Sequence, residues 1–146
     1  MDTKVQEFLK AKRMAVVGVS HNEQKFGTAI YKELKGQGIE VYGVNPTMEM
    51  IDGDKCYDSL TDLAGKVDGV VISLPPQKAA NVVREAAAVG LTRIWLQQGA
   101  QSAETARAAR EVGVDPVEGK CILMYAGEVK SVHAFHRFFA KLFGQY

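Results

Sequence analysis

Cysteine is scarce. Cys56 and Cys121 are the only two, they lie far apart, and neither stands in a CxxC pattern. A disulfide framework and a zinc site are therefore not expected, and both residues read as free thiols. A surplus of charge is missing as well: 18 basic against 17 acidic residues, well interspersed, leave a formal net charge of +1. That balance gives no electrostatic footprint for nucleic acid or an anionic membrane, so any bound anion must be held locally. No apolar run approaches the ~18 residues needed to cross a bilayer. The first four residues lack the basic and apolar regions of a signal peptide, and the expectation is a cytoplasmic protein. Repeats, low-complexity tracts and linkers are also absent, and 146 residues suit one domain with a single core, residues 1–146.

What is present is an ordinary globular balance, 47% hydrophobic and 24% charged residues, arranged as apolar runs alternating with helical periodicity. An amphipathic leading helix is expected over residues 2–12, with Val5, Phe8 and Leu9 on its inner face. The run 14–19 is short, β-branched and nearly free of polar residues, as a strand buried on both faces of a parallel sheet requires. A loop over 18–27 delivers the chain into a helix in which Phe26, Ala29, Ile30 and Leu34 recur at helical spacing. Further strands are expected at 39–44, 55–57 (a short edge strand), 69–74, 93–97 and 120–125. Between them a short helix capped by Ser59 runs through 63–65, and longer helices lie at 77–89 and 103–112, the last with Ser102 as N-cap. A tail helix at about 130–143 places Val132, Phe135, Phe139 and Leu142 on one face, widened by Phe138 and Phe143, either covering the sheet or serving self-association.

This alternation implies a Rossmann-like three-layer α/β fold with a mostly parallel sheet of five to six strands and right-handed crossovers. In the strand order 3-2-1-4-5 the winding reverses beside the first strand, and ligands bind outside the carboxyl ends at that point. The loops 18–27 and 73–77 would face one another there, with Asn45-Pro46 at the outer end.

The glycine loop fits neither common nucleotide signature. A dinucleotide fingerprint needs G-x-G-x-x-G and an acidic residue ending the second strand, whereas Val19-Ser20 follows Gly18 and the second strand ends in Asn45. A P-loop needs a lysine after its last glycine, and Gly27 is followed by Thr28. What remains is a hydroxyl at Ser20, a cation at Lys25 and a glycine at Gly27 where the helix begins, a set able to hold a phosphate.

In order and spacing, Ala15-Val-Val-Gly-Val-Ser20, Lys25-Phe-Gly27, Val44-Asn-Pro46, Gly53-Asp-Lys-Cys-Tyr57, Leu74-Pro-Pro76 and Trp95-Leu-Gln-Gln-Gly99 resemble the stand-alone CoA-binding proteins. These are similar to the N-terminal domain of the succinyl-CoA synthetase α subunit. The resemblance runs from about residue 12 to 125. It implies coenzyme A, or an acyl-CoA, lying across the carboxyl edge of the sheet. Gly18, Ser20, Lys25 and Gly27 would hold phosphate, with Val19 and Phe26 in the same motifs. Asn45 and Pro46 would border the adenosine end. Leu74, Pro75 and Pro76 would wall the opposite side, and Gln98 and Gly99 would approach the pantetheine arm. The synthetases act through a phosphorylated histidine on a following ligase domain that this sequence does not contain, so the resemblance implies binding without turnover.

Residues that invite a catalytic reading have plainer ones. His133 and His136, three apart, are too few for a metal site and read as the polar face of the tail helix. His21, in the phosphate loop, reads either as a donor to an anion or as a solvent-facing turn residue. Cys121 reads as a core thiol, and Cys56 as an exposed edge residue able to form a mixed disulfide. Asp62, Asp68 and Glu104 read as caps and surface charges. No catalytic residue and no metal ligand is assigned. Two other functions remain open: an NAD(P)-binding redox enzyme or sensor, and an interaction subunit for a separate acyl-CoA ligase chain, or a homo-oligomer, joined through the tail helix.

Overall fold

In the computed structural model the described residues are 3–22 and 25–125. The expected tail helix, with His133 and His136, lies outside them. Helix α1 (Thr3–Phe8) precedes β1 (Arg13–Val17), α2 (Phe26–Gly36) and β2 (Glu40–Val44). A small hairpin, β3 (Met50–Ile51) and β4 (Asp54–Tyr57), and a 3-10 turn at Leu60–Leu63 lead to β5 (Gly69–Ile72). The chain continues through α3 (Pro76–Ala88), β6 (Arg93–Gln97), α4 (Ala103–Val112), β7 (Val117–Lys120) and a second 3-10 turn at Ile122–Met124. The sheet order is β3-β4-β2-β1-β5-β6-β7, and every neighbouring pair is parallel except β3 with β4.

Side-chain alternation divides the core into two layers. Met14 and Val16 of β1, Val71 of β5 and Trp95 of β6 pack with Val5 and Phe8 of α1 and with Ile30, Tyr31 and Leu34 of α2. Their neighbours Ala15 and Val17, Val70 and Ile72, and Ile94 and Leu96 point the other way, onto Ala79, Val83 and Ala86 of α3 and Ala108 of α4. Both faces of the central strands are thus covered, which is why they read as continuous apolar runs. Trp95 anchors the first layer: its ring meets Phe8 edge-on at 5.2 Å between centroids, and its indole N–H donates to the Lys120 carbonyl at 3.0 Å.

The sheet has seven strands rather than five or six, because the two-residue β3 folds back outside β4. That hairpin also changes the place of Cys56: β4 is not the edge, and Cys56 is 4% exposed within the core. Burial pushes its thiol above the ordinary range, so an exposed partner for a mixed disulfide is not found there. The last strand is displaced as well. It runs over Val117–Lys120, and Ile122 and Leu123, both fully buried, belong to the 3-10 turn. The cause is Gln97, buried at the end of β6, whose amide donates to Cys121 Sγ at 2.9 Å and accepts from the Ile122 N–H at 3.0 Å, drawing the chain off the sheet line. Cys121 is buried and free, as a core thiol should be.

Asp68 is more than a surface charge. Its carboxylate accepts from the backbone N–H of Lys12 (3.3 Å) and Arg13 (3.1 Å) and from the Arg13 guanidinium (3.0 Å), pinning the start of β1 to β5. Among the described residues no helix is long and apolar enough to cross a membrane.

Candidate functional site

Parallel pairing brings the ends of the central strands into line: Val17 lies opposite Val44 on one side and Ile72 on the other. The loops leaving β1, β2, β5 and β6 therefore share one edge. Close packing of backbone shapes the crevice between them. Gly18 has φ +118°, and a Cβ there would stand 2.1 Å from the Ser73 carbonyl oxygen. A Cβ on Gly27 would stand 2.3 Å from the Gly18 carbonyl oxygen. The first turn of α2 thus rests directly on the exit of β1, which only glycine permits.

The loop between them is held by its own hydrogen bonds. The buried Thr28 hydroxyl accepts from the Ser20 N–H at 2.8 Å and donates to the Ser20 carbonyl at 2.9 Å. Ser20 Oγ accepts from the Asn22 N–H at 3.1 Å. The Asn45 amide donates to the Val19 carbonyl at 2.8 Å, and its oxygen accepts from the Thr47 N–H and hydroxyl, each at 2.8 Å. Asn45 is thus a brace between the first and second exit loops. Thr28 was not singled out from the sequence; its signal is a threonine directly after a glycine at a helix start, one turn from an unpaired loop backbone.

Two cavities open along this edge and meet at Gly18 and Leu74, which line both. The larger, about 420 Å³, is bordered by Asn45, Pro46 and Thr47, by Asp58 and Ser59 beyond β4, and by Lys78, Val82 and Glu85 of α3. The smaller, about 250 Å³, is bordered by Lys25, Phe26 and Gly27 at the start of α2, by Ser73 and Pro75, and by Gln98 and Gly99 after β6. Val19, Ser20 and Pro76 line neither. Val19 is 1% exposed and packs into the core, Ser20 serves the loop, and Pro76 forms the first turn of α3. Every other candidate residue borders one cavity or both. Asp58, Ser59, Lys78, Val82 and Glu85 are lining residues that sequence reasoning missed.

The two helix starts beside the crevice differ in what they offer. No side chain caps α2 at Lys25, and Lys25, Phe26 and Gly27 at that helix start border the smaller cavity. Helix α3 opens with Pro75 as N-cap residue and Pro76 in its first turn, and neither has an N–H. Of the donors that follow, the N–H groups of Lys78 and Ala79 both bond the Pro75 carbonyl at 3.0 Å. That start is an apolar wall. By contrast α4, farther along, closes its own N-terminus with a reciprocal Ser102–Thr105 capping box. Among the described residues no group of histidine, cysteine and carboxylate side chains is arranged to hold a metal ion.

The sequence matches the CoA binding domain family over residues 12–126. It is 29% identical over 119 residues to the uncharacterized protein YneT of Bacillus subtilis, covering 81% of this chain and 88% of that one. It is 36% identical over 80 residues to an ADP-forming acetate–CoA ligase of Methanocaldococcus jannaschii, covering 55% of this chain and 11% of the ligase. The chain thus corresponds to a small part of that enzyme. A conserved hypothetical protein of Pyrococcus furiosus has the same fold, with a TM-score of 0.72 at 40% identity, covering 76% of this chain and 96% of that one. With most of its length matched, the chain belongs to the CoA binding domain family.

Proposed function

We propose that the chain binds coenzyme A or an acyl-CoA along the carboxyl edge of the sheet and holds it without turning it over. The observation that carries this reading is the pair of cavities meeting at Gly18 and Leu74, the smaller of them bordered by Lys25 at a helix start that no side chain caps. Their size suits a nucleotide-sized ligand laid across the ridge. The phosphates sit against Lys25 and the first turn of α2, the adenosine lies toward Asn45, Pro46 and Thr47, and the pantetheine arm follows Gln98 and Gly99. Bound CoA supplies a thiol or thioester. The chain's part is to neutralise the phosphates, exclude water with Leu74, Pro75 and Val82, and fix the ligand's direction. Membership of the family supports the ligand class.

One observation favours a second reading. The second strand ends in Asn45, but the neighbouring parallel strand brings Asp58 to the same cavity, where a carboxylate can accept from a ribose hydroxyl as dinucleotide sites require. Calorimetric titration with CoA, acetyl-CoA, NAD, NADP and ATP separates the two. Heat with CoA or acetyl-CoA and none with NAD or NADP is the expected result; binding of NAD or NADP without CoA replaces the first reading with the second.

A further inference from the structure

On the α1 and α2 face, at the edge opposite the crevice, the described residues border an apolar groove of about 400 Å³. Leu9, Met14, Leu34, Ile39, Ile122 and Tyr125 form its walls; besides the Tyr125 hydroxyl, the polar side chains among the described lining residues are those of Lys12 and Gln37. Leu9, Ile39 and Tyr125 are only partly buried against the core, and the adjoining Met124 is 50% exposed. Apolar surface at the meeting of two helices and a sheet edge of this kind calls for a cover.

We propose that residues 130–143 of this same chain fill the groove. The last described residue, Tyr125, is itself one of its walls, so the chain sets out from the groove's lip. Val132, Phe135, Phe139 and Leu142 follow at spacings of three and four, with Phe138 and Phe143 beside them, so a helix over this stretch carries one broad apolar face to bury. Lys130, His133, Arg137 and Lys141 stand among them as the polar complement. Val132 comes seven positions after Tyr125, a span of up to about 23 Å when extended. A tether so short holds the segment at an effective concentration near millimolar, above that of a free competitor. The chain's own segment is therefore the occupant, ahead of a second copy or another protein.

The test uses the full chain and pairs a tail variant, Phe135→Ser with Phe139→Ser, with a groove variant, Leu9→Ser, and their combination. Each is expected to lower Tm by several degrees and to raise the fluorescence of a dye that binds exposed apolar surface. The combination adds little to either, because both remove one contact. The mass by light scattering stays that of one chain throughout. Additive losses overturn the proposal, and so does a dimer mass that the tail variant halves, which assigns the groove to a second copy. A second measurement needs no destabilised variant: Gln37→Cys with Ser131→Cys, treated with a bismaleimide. The native Cys56 and Cys121 are buried and do not compete. A cross-link within one chain is the expected product; no cross-link, or one between chains, overturns the proposal.

Discussion

Gly18 and Gly27 are small for one reason: each faces a backbone carbonyl that a methyl group would strike. Gly18→Ala adds a strained φ to the clash, and Gly27→Ala pushes α2 off β1. Each is expected to cost about 3 kcal/mol in urea unfolding. A loss of ligand binding in a Gly27 variant therefore speaks of phosphate only if the variant's fold is shown intact. Asp68 acts at the same scale. The Arg13 guanidinium, together with two backbone N–H groups, holds its carboxyl below the usual range. A carboxyl lowered in the folded state stabilises above its unfolded value, near ~3.9, and that contribution is lost as pH falls through the lower folded value. Asp68→Ala is expected to cost about 2 kcal/mol at pH 7. Its stability should also fall less steeply than that of the natural chain below about pH 4, as denaturant midpoints at successive pH values will show.

At the scale of elements, two serines looked alike in the sequence and differ in the structure. Ser102 Oγ accepts from the Thr105 N–H at 3.2 Å, completing its box, whereas Ser59 makes no side-chain cap. Ser102→Ala should lower stability by about 1 kcal/mol, and Ser59→Ala should stay within about 0.5 kcal/mol, both read from urea midpoints at constant slope. The difference marks what local sequence can carry. Helices α2, α3 and α4 and the buried strands were legible because each shows its own period or apolar run. Strand β7 was not, since its buried apolar residues serve the turn that Gln97 draws away. The crevice was legible where it is made of exit loops, at Gly18, Lys25, Asn45, Pro75 and Gln98. Its α3 wall of Lys78, Val82 and Glu85 was not, because nothing in a helix's own period tells which of its exposed residues face a cavity.

For the whole molecule, the order of strands decides where the crevice lies, and the two lysines that border it allow a test of which way a ligand points. Lys25 and Lys78 are both exposed and stand on opposite sides of the ridge at Gly18 and Leu74. A ligand that binds only the folded chain stabilises it by about 2.7 kcal/mol at one hundred times its Kd, so CoA should raise Tm where NAD does not. Since neither lysine is part of the core, Lys25→Ala and Lys78→Ala should leave the Tm of the free chain unchanged. If the phosphates rest on α2, Lys25→Ala weakens CoA about tenfold through loss of a charge-assisted hydrogen bond, and the CoA-dependent rise in Tm shrinks. Lys78→Ala then has a smaller effect, because the double-proline start of α3 supplies no N–H cradle beside it. The reverse ranking would turn the ligand end for end in the crevice, with its phosphates against α3 and its adenosine toward Gln98 and Gly99.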